Sequence, residues 1–271
     1  MRIENLMTGR LYRADLLGPE EHEEFERDLI AFCDRELDLL GDIRNLEVLY
    51  AGGSSLLWLE GLSQRIGEGG SLTALDLDEE RVEESGELLE DAELAVPVRL
   101  VAGDVFEPPF EPRTFDLVYS AGLFHELDVR ERTAEDALAA LASVTRPPGR
   151  VATSDFVDSV SAVQLEDEEL QRELAREASG SDLYGIGPPA RLVAVHEKIL
   201  ADVRWRVSSP HNVRHLDKLV LAEGEPASLP LLPADARRRF RRSREAFLER
   251  LLREGYTRLA TLYVEGLVPG T

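Results

Sequence analysis

The run VLYAGGSSLLWLEGL (Val48 to Leu62), followed by LTALDLDEE (Leu72 to Glu80), has the residue types and order needed to hold a nucleoside. An apolar strand leads into Gly52 and Gly53, which permit a sharp backbone turn and a close approach to a ligand. The helix opening near Ser54 or Ser55 presents N–H groups that suit an anion. Asp76, at the tip of the next strand, can accept from both hydroxyls of a ribose, and it follows Gly52 at close to the ~20-residue spacing such an acid keeps.

Other residues carry chemistry less specifically. Asp104 and Asp155 sit near strand ends, where an acid can serve a ligand or cap the next turn. His125 lies just past the apolar run FDLVYSAG; it can face a substrate as a general base or hydrogen-bond within the fold. His196 falls in an amphipathic helix, and His211 and His215 lack a carboxylate at metal spacing, so no metal is assigned. His22 is expected on the solvated face of the first helix. The single cysteine, Cys33, excludes an internal disulfide and a cysteine-built metal site, and its apolar neighbours place it in the core. Trp58 and Trp205 read as core residues. Tyr12 reads as a surface aromatic that could also close over a pocket.

These side chains need a frame. GPEEHEEFERDLIAFCDRELDLL (Gly18 to Leu40) starts with a proline suited to a first helical turn and repeats Phe25, Leu29, Phe32 and Leu40 on one stripe. From Leu46 to about Val157, five apolar strands alternate with helices, the pattern of a doubly wound parallel sheet. Beyond Asp158 an acidic helix over Leu165 to Ala178, the turn-rich SGSDLYGIGPP (Ser179 to Pro189) and a helix over Arg191 to Val203 read as an inserted lid, with SGSDLYGIGPP and the first ~18 residues expected to be more mobile without ligand than the sheet. A short strand RWRV, a strand around LDKLVLAEG, an arginine-rich amphipathic helix (Ala236 to Gly255) and a last strand TRLATLYVEG (Thr257 to Gly266) complete the pattern.

Composition narrows the partners. The formal net charge of −22 repels phosphate backbones, so nucleic acid is disfavoured. The arginine helix is expected to pair with the acidic surface and to pack Phe240, Phe247, Leu248, Leu251 and Leu252 inward. No run approaches the ~18 apolar residues of a membrane span, and acids occupy the N-terminus where a signal peptide would be apolar, so a cytoplasmic, acidic protein is expected.

The order of four segments, VLYAGGSSLL, ALDLDEE, AGDVFEPPF and FDLVYSAGLFHEL followed by LASVTRPPGRVATSDF, resembles the class I S-adenosylmethionine-dependent methyltransferases. The resemblance covers Leu46 to Val157, with TRLATLYVEG in the place of that family's reversed last strand. It implies an α/β fold: a doubly wound, mostly parallel seven-stranded sheet of Rossmann-like form, with an N-terminal helix and a helical insertion after strand five. The expected division is a cap over residues 1–45 and a methyltransferase domain over 46–271, with the insertion at 158–203.

By this resemblance the cofactor is S-adenosylmethionine. Ala51, Gly52 and Gly53 would hold its methionine part with Ser54 beside them, and Asp76 would take the ribose with Leu77 near the adenine. Asp104 and Val105 would receive the adenine edge, Ser120 and Ala121 would line the passage to the acceptor, and His125 would accept a proton. The expected substrate is a small molecule, methylated by direct in-line transfer, with the protein a monomer or homodimer. One departure stands out: the family's loop acid and two of its three glycines are replaced, leaving Tyr50, Ala51, Gly52, Gly53, Ser54, Ser55 and Leu56. That loop also admits the alternative of a binding or regulatory protein that keeps the fold without turnover. The same loop lacks the Gly-x-Gly-x-x-Gly that a dinucleotide pyrophosphate needs.

Overall fold

The computed structural model describes residues 16–90, 92–130, 132–222 and 224–270, together with the backbone of 3–4 and 11–12. Tyr12's side chain and most of the N-terminal segment therefore lie outside the described residues.

In chain order the elements are β1 (Ile3–Glu4), β2 (Leu11–Tyr12), α1 (Pro19–Leu37), β3 (Glu47–Ala51), α2 (Leu56–Ile66), β4 (Ser71–Asp76), α3 (Glu79–Leu89), β5 (Val98–Ala102) and β6 (Phe115–Ala121). Then follow α4 (Ala134–Ser143), β7 (Thr145–Phe156), α5 (Ala162–Ser179), α6 (Pro189–Ile199), β8 (Ala201–Val207), β9 (His211–Asn212), α7 (Leu216–Ala222), α8 (Ala234–Glu254), β10 (Thr257–Arg258) and β11 (Thr261–Leu267). Val48 to Ala51 are buried, as a strand covered on both faces by helices must be.

Seven strands form one sheet in the order β5-β4-β3-β6-β7-β11-β8. The pairs β3–β4, β4–β5, β3–β6 and β6–β7 are parallel; β11 runs antiparallel to both β7 and β8. This is the doubly wound, mostly parallel seven-stranded sheet expected. The strand order reverses between β3 and β6, and their carboxyl ends open the crevice where such sheets bind ligands. Two apolar clusters hold the layers together. One joins α1, α2, α7 and α8 to the sheet; the other joins α4 and α6 to the opposite face.

Several local expectations are corrected. LDKLVLA, within the run expected as a strand, forms helix α7, burying Leu216, Leu219 and Val220 at helical spacing; a short apolar run cannot distinguish strand from helix by pattern alone. The stretch 158–203 divides into two parts, of which the first, α5 and the turn after it, lines a cavity. Its second helix, α6, packs on α4 and leads into β8 as an ordinary crossover, while α5 packs on α8. SGSDLYGIGPP is tied down by Tyr184 N–H to Leu127 O at 2.7 Å, Gly185 N–H to His125 O at 2.9 Å and Val129 N–H to Asp182 O at 2.8 Å.

TRLATLYVEG divides at Leu259 and Ala260 into β10 and β11. Trp205 is 55% exposed because β8 is an edge strand with most of its length uncovered. Leu252 is also exposed, on the outer side of α8, whereas Phe240, Phe247 and Leu251 are buried. His22 is half-buried, with both ring nitrogens shielded and without a hydrogen-bond partner.

Candidate functional site

The turn after β3 is built on Gly52. Its φ is +85°, and a Cβ there would stand 2.5 Å from Leu123 Cδ1, so only glycine fits without displacement. The N–H groups of Gly52 and Gly53 donate to Leu75 O at 2.8 and 3.1 Å, folding the loop against the end of β4. That brings Ser54 to Asp76: the serine Oγ donates to Asp76 Oδ2 at 2.9 Å, and Asp78 N–H donates to Oδ1 at 3.0 Å. A carboxylate has about four lone-pair positions, so roughly two remain for a ligand.

Across the crevice, β6 ends at Ala121, and the chain passes through Gly122 in a left-handed conformation into a 3-10 segment, Phe124–Glu126. Asp155, near the end of β7, is almost wholly buried. Its Oδ2 accepts from the Phe124 and His125 N–H groups at 2.6 and 3.3 Å, and its Oδ1 lies 2.7 Å from His125 Nδ1. Burial disfavours the imidazolium, but the Asp155 charge and hydrogen bond more than offset it, raising the His125 pKa to about 10. At neutral pH His125 therefore holds its proton. This corrects the expectation of an ordinary histidine poised as a base near neutrality.

A cavity of about 570 Å³ runs between these elements. Its lining includes Gly52, Gly53, Ser54, Asp76, Ala121 and His125 from the sheet's carboxyl ends, and Phe32, Trp58, Leu216, Val220, Tyr256 and Arg258. Asp155, Glu126 and Glu168 also contribute to its wall. The second group is contributed by α1, α2, α7 and the segment before β11, not by the parallel sheet.

The remaining sequence-derived residues are not brought to this cavity. Ala51 is fully buried in β3, and Val105 is packed in the core. Leu77 is 72% exposed. Asp104 is engaged by the Arg132 guanidinium at 2.7 Å and by Phe106 N–H at 2.9 Å, while Arg132 also lies 4.3 Å over the Phe106 ring. Ser120 alternates to the far face from Ala121 and donates to Thr153 Oγ1 at 3.3 Å. The glycine turn and Asp76 thus suit the amino-acid and ribose parts of the implied cofactor, whereas the adenine end is not enclosed.

The other histidines are structural. His196 is buried against Leu192 O and Thr153 Oγ1, and burial lowers its pKa to about 4. His215 bonds Glu24 at 2.8 Å. Among the described residues, no group of three or more His, Cys, Asp or Glu is arranged to hold a metal ion. No helix among them is long and apolar enough to cross a membrane. Cys33 is buried, and that burial pushes its thiol pKa up. Sequence reasoning missed Phe32, Tyr256 and Arg258 as cavity residues because they come from elements outside the alternating sheet and carry no motif.

The sheet order and the crevice at its switch point define the class I S-adenosylmethionine-dependent methyltransferase fold. A family model described as a methyltransferase domain matches residues 48–149, from β3 to the turn within β7. The chain is 32% identical over 128 residues to a ubiquinone/menaquinone biosynthesis C-methyltransferase from Idiomarina loihiensis, covering 46% of this chain and 49% of the relative. It thus spans about half the length of the curated relative it matches. Among solved structures, a cyclopropane-fatty-acyl-phospholipid synthase-like protein from Lactobacillus casei superposes with a TM-score of 0.66 at 16% identity, covering 90% of this chain and 92% of that one. A geranyl diphosphate methyltransferase in complex with S-adenosylmethionine gives 0.57 at 16% identity, covering 94% of each chain. At these identities the structures speak to fold.

Proposed function

We propose that the protein is an S-adenosylmethionine-dependent methyltransferase that acts on a small-molecule acceptor by direct in-line transfer. One observation carries the reading: a single cavity joins the glycine turn and Asp76 to an apolar chamber walled by Phe32, Trp58, Leu216 and Val220. S-adenosylmethionine supplies an electrophilic methyl group when bound. Asp76 would hold the ribose with its free lone pairs, and the turn at Gly52 would admit the amino-acid tail. The chamber would align the acceptor and exclude water, which is most of what an in-line displacement asks of a protein.

Where the acceptor must lose a proton, His125 is the proposed proton acceptor and Asp155 the residue that orients it. Because the free imidazole is scarce at neutral pH, this role predicts a reaction that quickens in base. The Idiomarina relative is a C-methyltransferase of ubiquinone/menaquinone biosynthesis. A carbon atom of a small apolar molecule is the corresponding acceptor proposed here, and the chamber's aromatic and aliphatic walls support it.

A second reading, a ligand-binding protein without turnover, is favoured by Tyr50 standing where the family has its loop acid and by the loop N–H groups already bonded to Leu75 O. Calorimetry separates cofactor binding from its absence. S-adenosylhomocysteine should bind and NAD should not; no heat with the former overturns the cofactor reading. An acceptor screen that follows S-adenosylhomocysteine release then separates an enzyme from a binding protein.

A further inference from the structure

The wall of the cavity holds an arginine that no carboxylate among the described residues pairs with. Arg258 is only 8% exposed, lines the cavity, and its Nε is buried without a hydrogen-bond partner. It makes no ion pair among the described residues; its guanidinium carbon sits 5.1 Å from the Phe156 ring centre instead. The chain has 53 acidic against 31 basic residues, and several other partly buried arginines are matched with acids. Arg214 meets Glu24 and Asp28, Arg65 meets Asp34 and Asp38, and Arg150 meets Glu265. A guanidinium cannot shed its proton, so burial without a counter-charge costs free energy that a ligand anion can return.

The backbone around Arg258 is fixed. Thr257 O accepts from Ser161 Oγ, Leu259 N–H donates to Gln164 Oε1, and β10 pairs with β9 so that Arg258 stands opposite His211. The facing residue repeats the pattern. His211 stacks on Phe32 with ring centres 4.1 Å apart, and its Nδ1 lies 3.0 Å from Arg35 Nη2. Burial and the positive charges of Arg35 and Arg258 lower its pKa to about 3, so the ring is neutral.

A guanidinium only donates, so Nδ1 is the acceptor and the proton sits on Nε2, which is buried without a partner. Two neighbouring donors, Arg258 Nε–H and His211 Nε2–H, thus lack acceptors, and Arg258 lines the cavity. Of the acids lining the cavity, Asp167 accepts from Tyr256 OH at 3.0 Å and Asp155 from His125, and Glu168 makes no ion pair with Arg258.

We infer that Arg258 anchors a carboxylate on the acceptor, so that the chamber selects a small apolar acid over its neutral analogue. The planar fork of arginine matches a carboxylate with two parallel hydrogen bonds, and Trp58, Leu216 and Val220 would cover the apolar body. This rests on the reading that the chamber receives the methyl acceptor, which it deepens by naming the acceptor's class.

The test uses the full chain, with sodium benzoate as probe and benzamide as its neutral match, in the presence and absence of S-adenosylhomocysteine near neutral pH. Benzoate should bind at least ~10-fold more tightly than benzamide, and Arg258→Met should erase that preference. The Arg258→Met protein should melt no lower than wild type without ligand, since an unpaired buried charge has been removed, and should bind S-adenosylhomocysteine as wild type does. Equal binding of benzoate and benzamide by wild type, or a benzoate preference that survives in Arg258→Met, would overturn the inference. Were the Met variant not to fold, Arg258→Lys, which keeps the charge but not the fork, should show a reduced preference, and an unchanged one would overturn it. The S-adenosylhomocysteine titration reports on the cofactor reading alone: benzoate selectivity without it leaves the carboxylate site standing and removes the methyltransferase.

Discussion

Asp155 accepts from the Phe124 N–H at 2.6 Å and from the ring of His125 at 2.7 Å, so one buried carboxylate fastens the turn after β6 to the end of β7 and fixes the imidazole at the cavity wall. The same carboxylate sets the charge of that imidazole.

The first prediction concerns pH. A histidine with its folded pKa raised to about 10 from an unfolded value near 6.5 adds stability that is fully present below the unfolded pKa and is lost as pH rises through the folded one. The difference in melting temperature between wild type and His125→Gln should therefore shrink steadily from about pH 6.5 to about 10. A constant difference over that window would show that the pair does not hold the proton as described.

Catalysis should follow the same proton. If His125 accepts a proton from the acceptor, log kcat should climb toward pH 10 with a slope approaching one, and His125→Gln should lower kcat by ~10²-fold at pH 9 with little change in cofactor affinity. A flat wild-type profile from pH 6 to 9, matched by the mutant, would leave Asp155 or no base at all.

Asp76→Ala should weaken S-adenosylhomocysteine binding by one to two orders of magnitude, on the order of 1.4 kcal/mol per tenfold. Because Asp76 also receives Ser54 and Asp78, Ser54→Ala is the control for a purely structural effect. It should leave most of the affinity in place, as measured by calorimetry.

Gly52→Ala should cost stability twice over, through its φ of +85° and through contact with Leu123 Cδ1. The backbone strain alone is worth ~1–3 kcal/mol. Adding Leu123→Ala should relieve the contact but not the strain, so the double mutant should recover part of the lost melting temperature and remain below the Leu123→Ala single mutant.

The arginines of α8 should not recruit nucleic acid. Arg238 pairs with Asp235, Arg239 with Glu177 at 3.3 Å, Arg241 with Glu225 at 2.6 Å and Arg250 with Glu166 at 2.8 Å. Anisotropy titrations with tRNA and duplex DNA at physiological salt should show no appreciable binding. Micromolar, salt-sensitive binding lost on changing Arg237, Arg238, Arg241 and Arg242 to glutamine would contradict this.

The sequence by itself determined the sheet and one wall of the cavity. Val48 to Ala51, Leu72 to Leu75 and Leu117 to Ser120 are buried runs whose order with the intervening helices admits few topologies, and Gly52 and Asp76 sit where a parallel strand's carboxyl end must place them. Those signals are local: periodicity, a turn residue, an acid at a fixed spacing. The rest is long-range. LDKLVLA became α7 because its apolar residues found α8 and the α1 layer, and no pattern within that run encodes the packing.

Tertiary contact also took Asp104 away from the cavity, through Arg132, and turned His125 from an ordinary histidine into a protonated one, through Asp155 thirty residues on. Arg258 is the clearest case. In the sequence it is one arginine among many in an acidic chain; only the fold buries it in the cavity wall without an ion pair among the described residues, because charge pairing depends on which surfaces meet and not on which residues are neighbours in the chain.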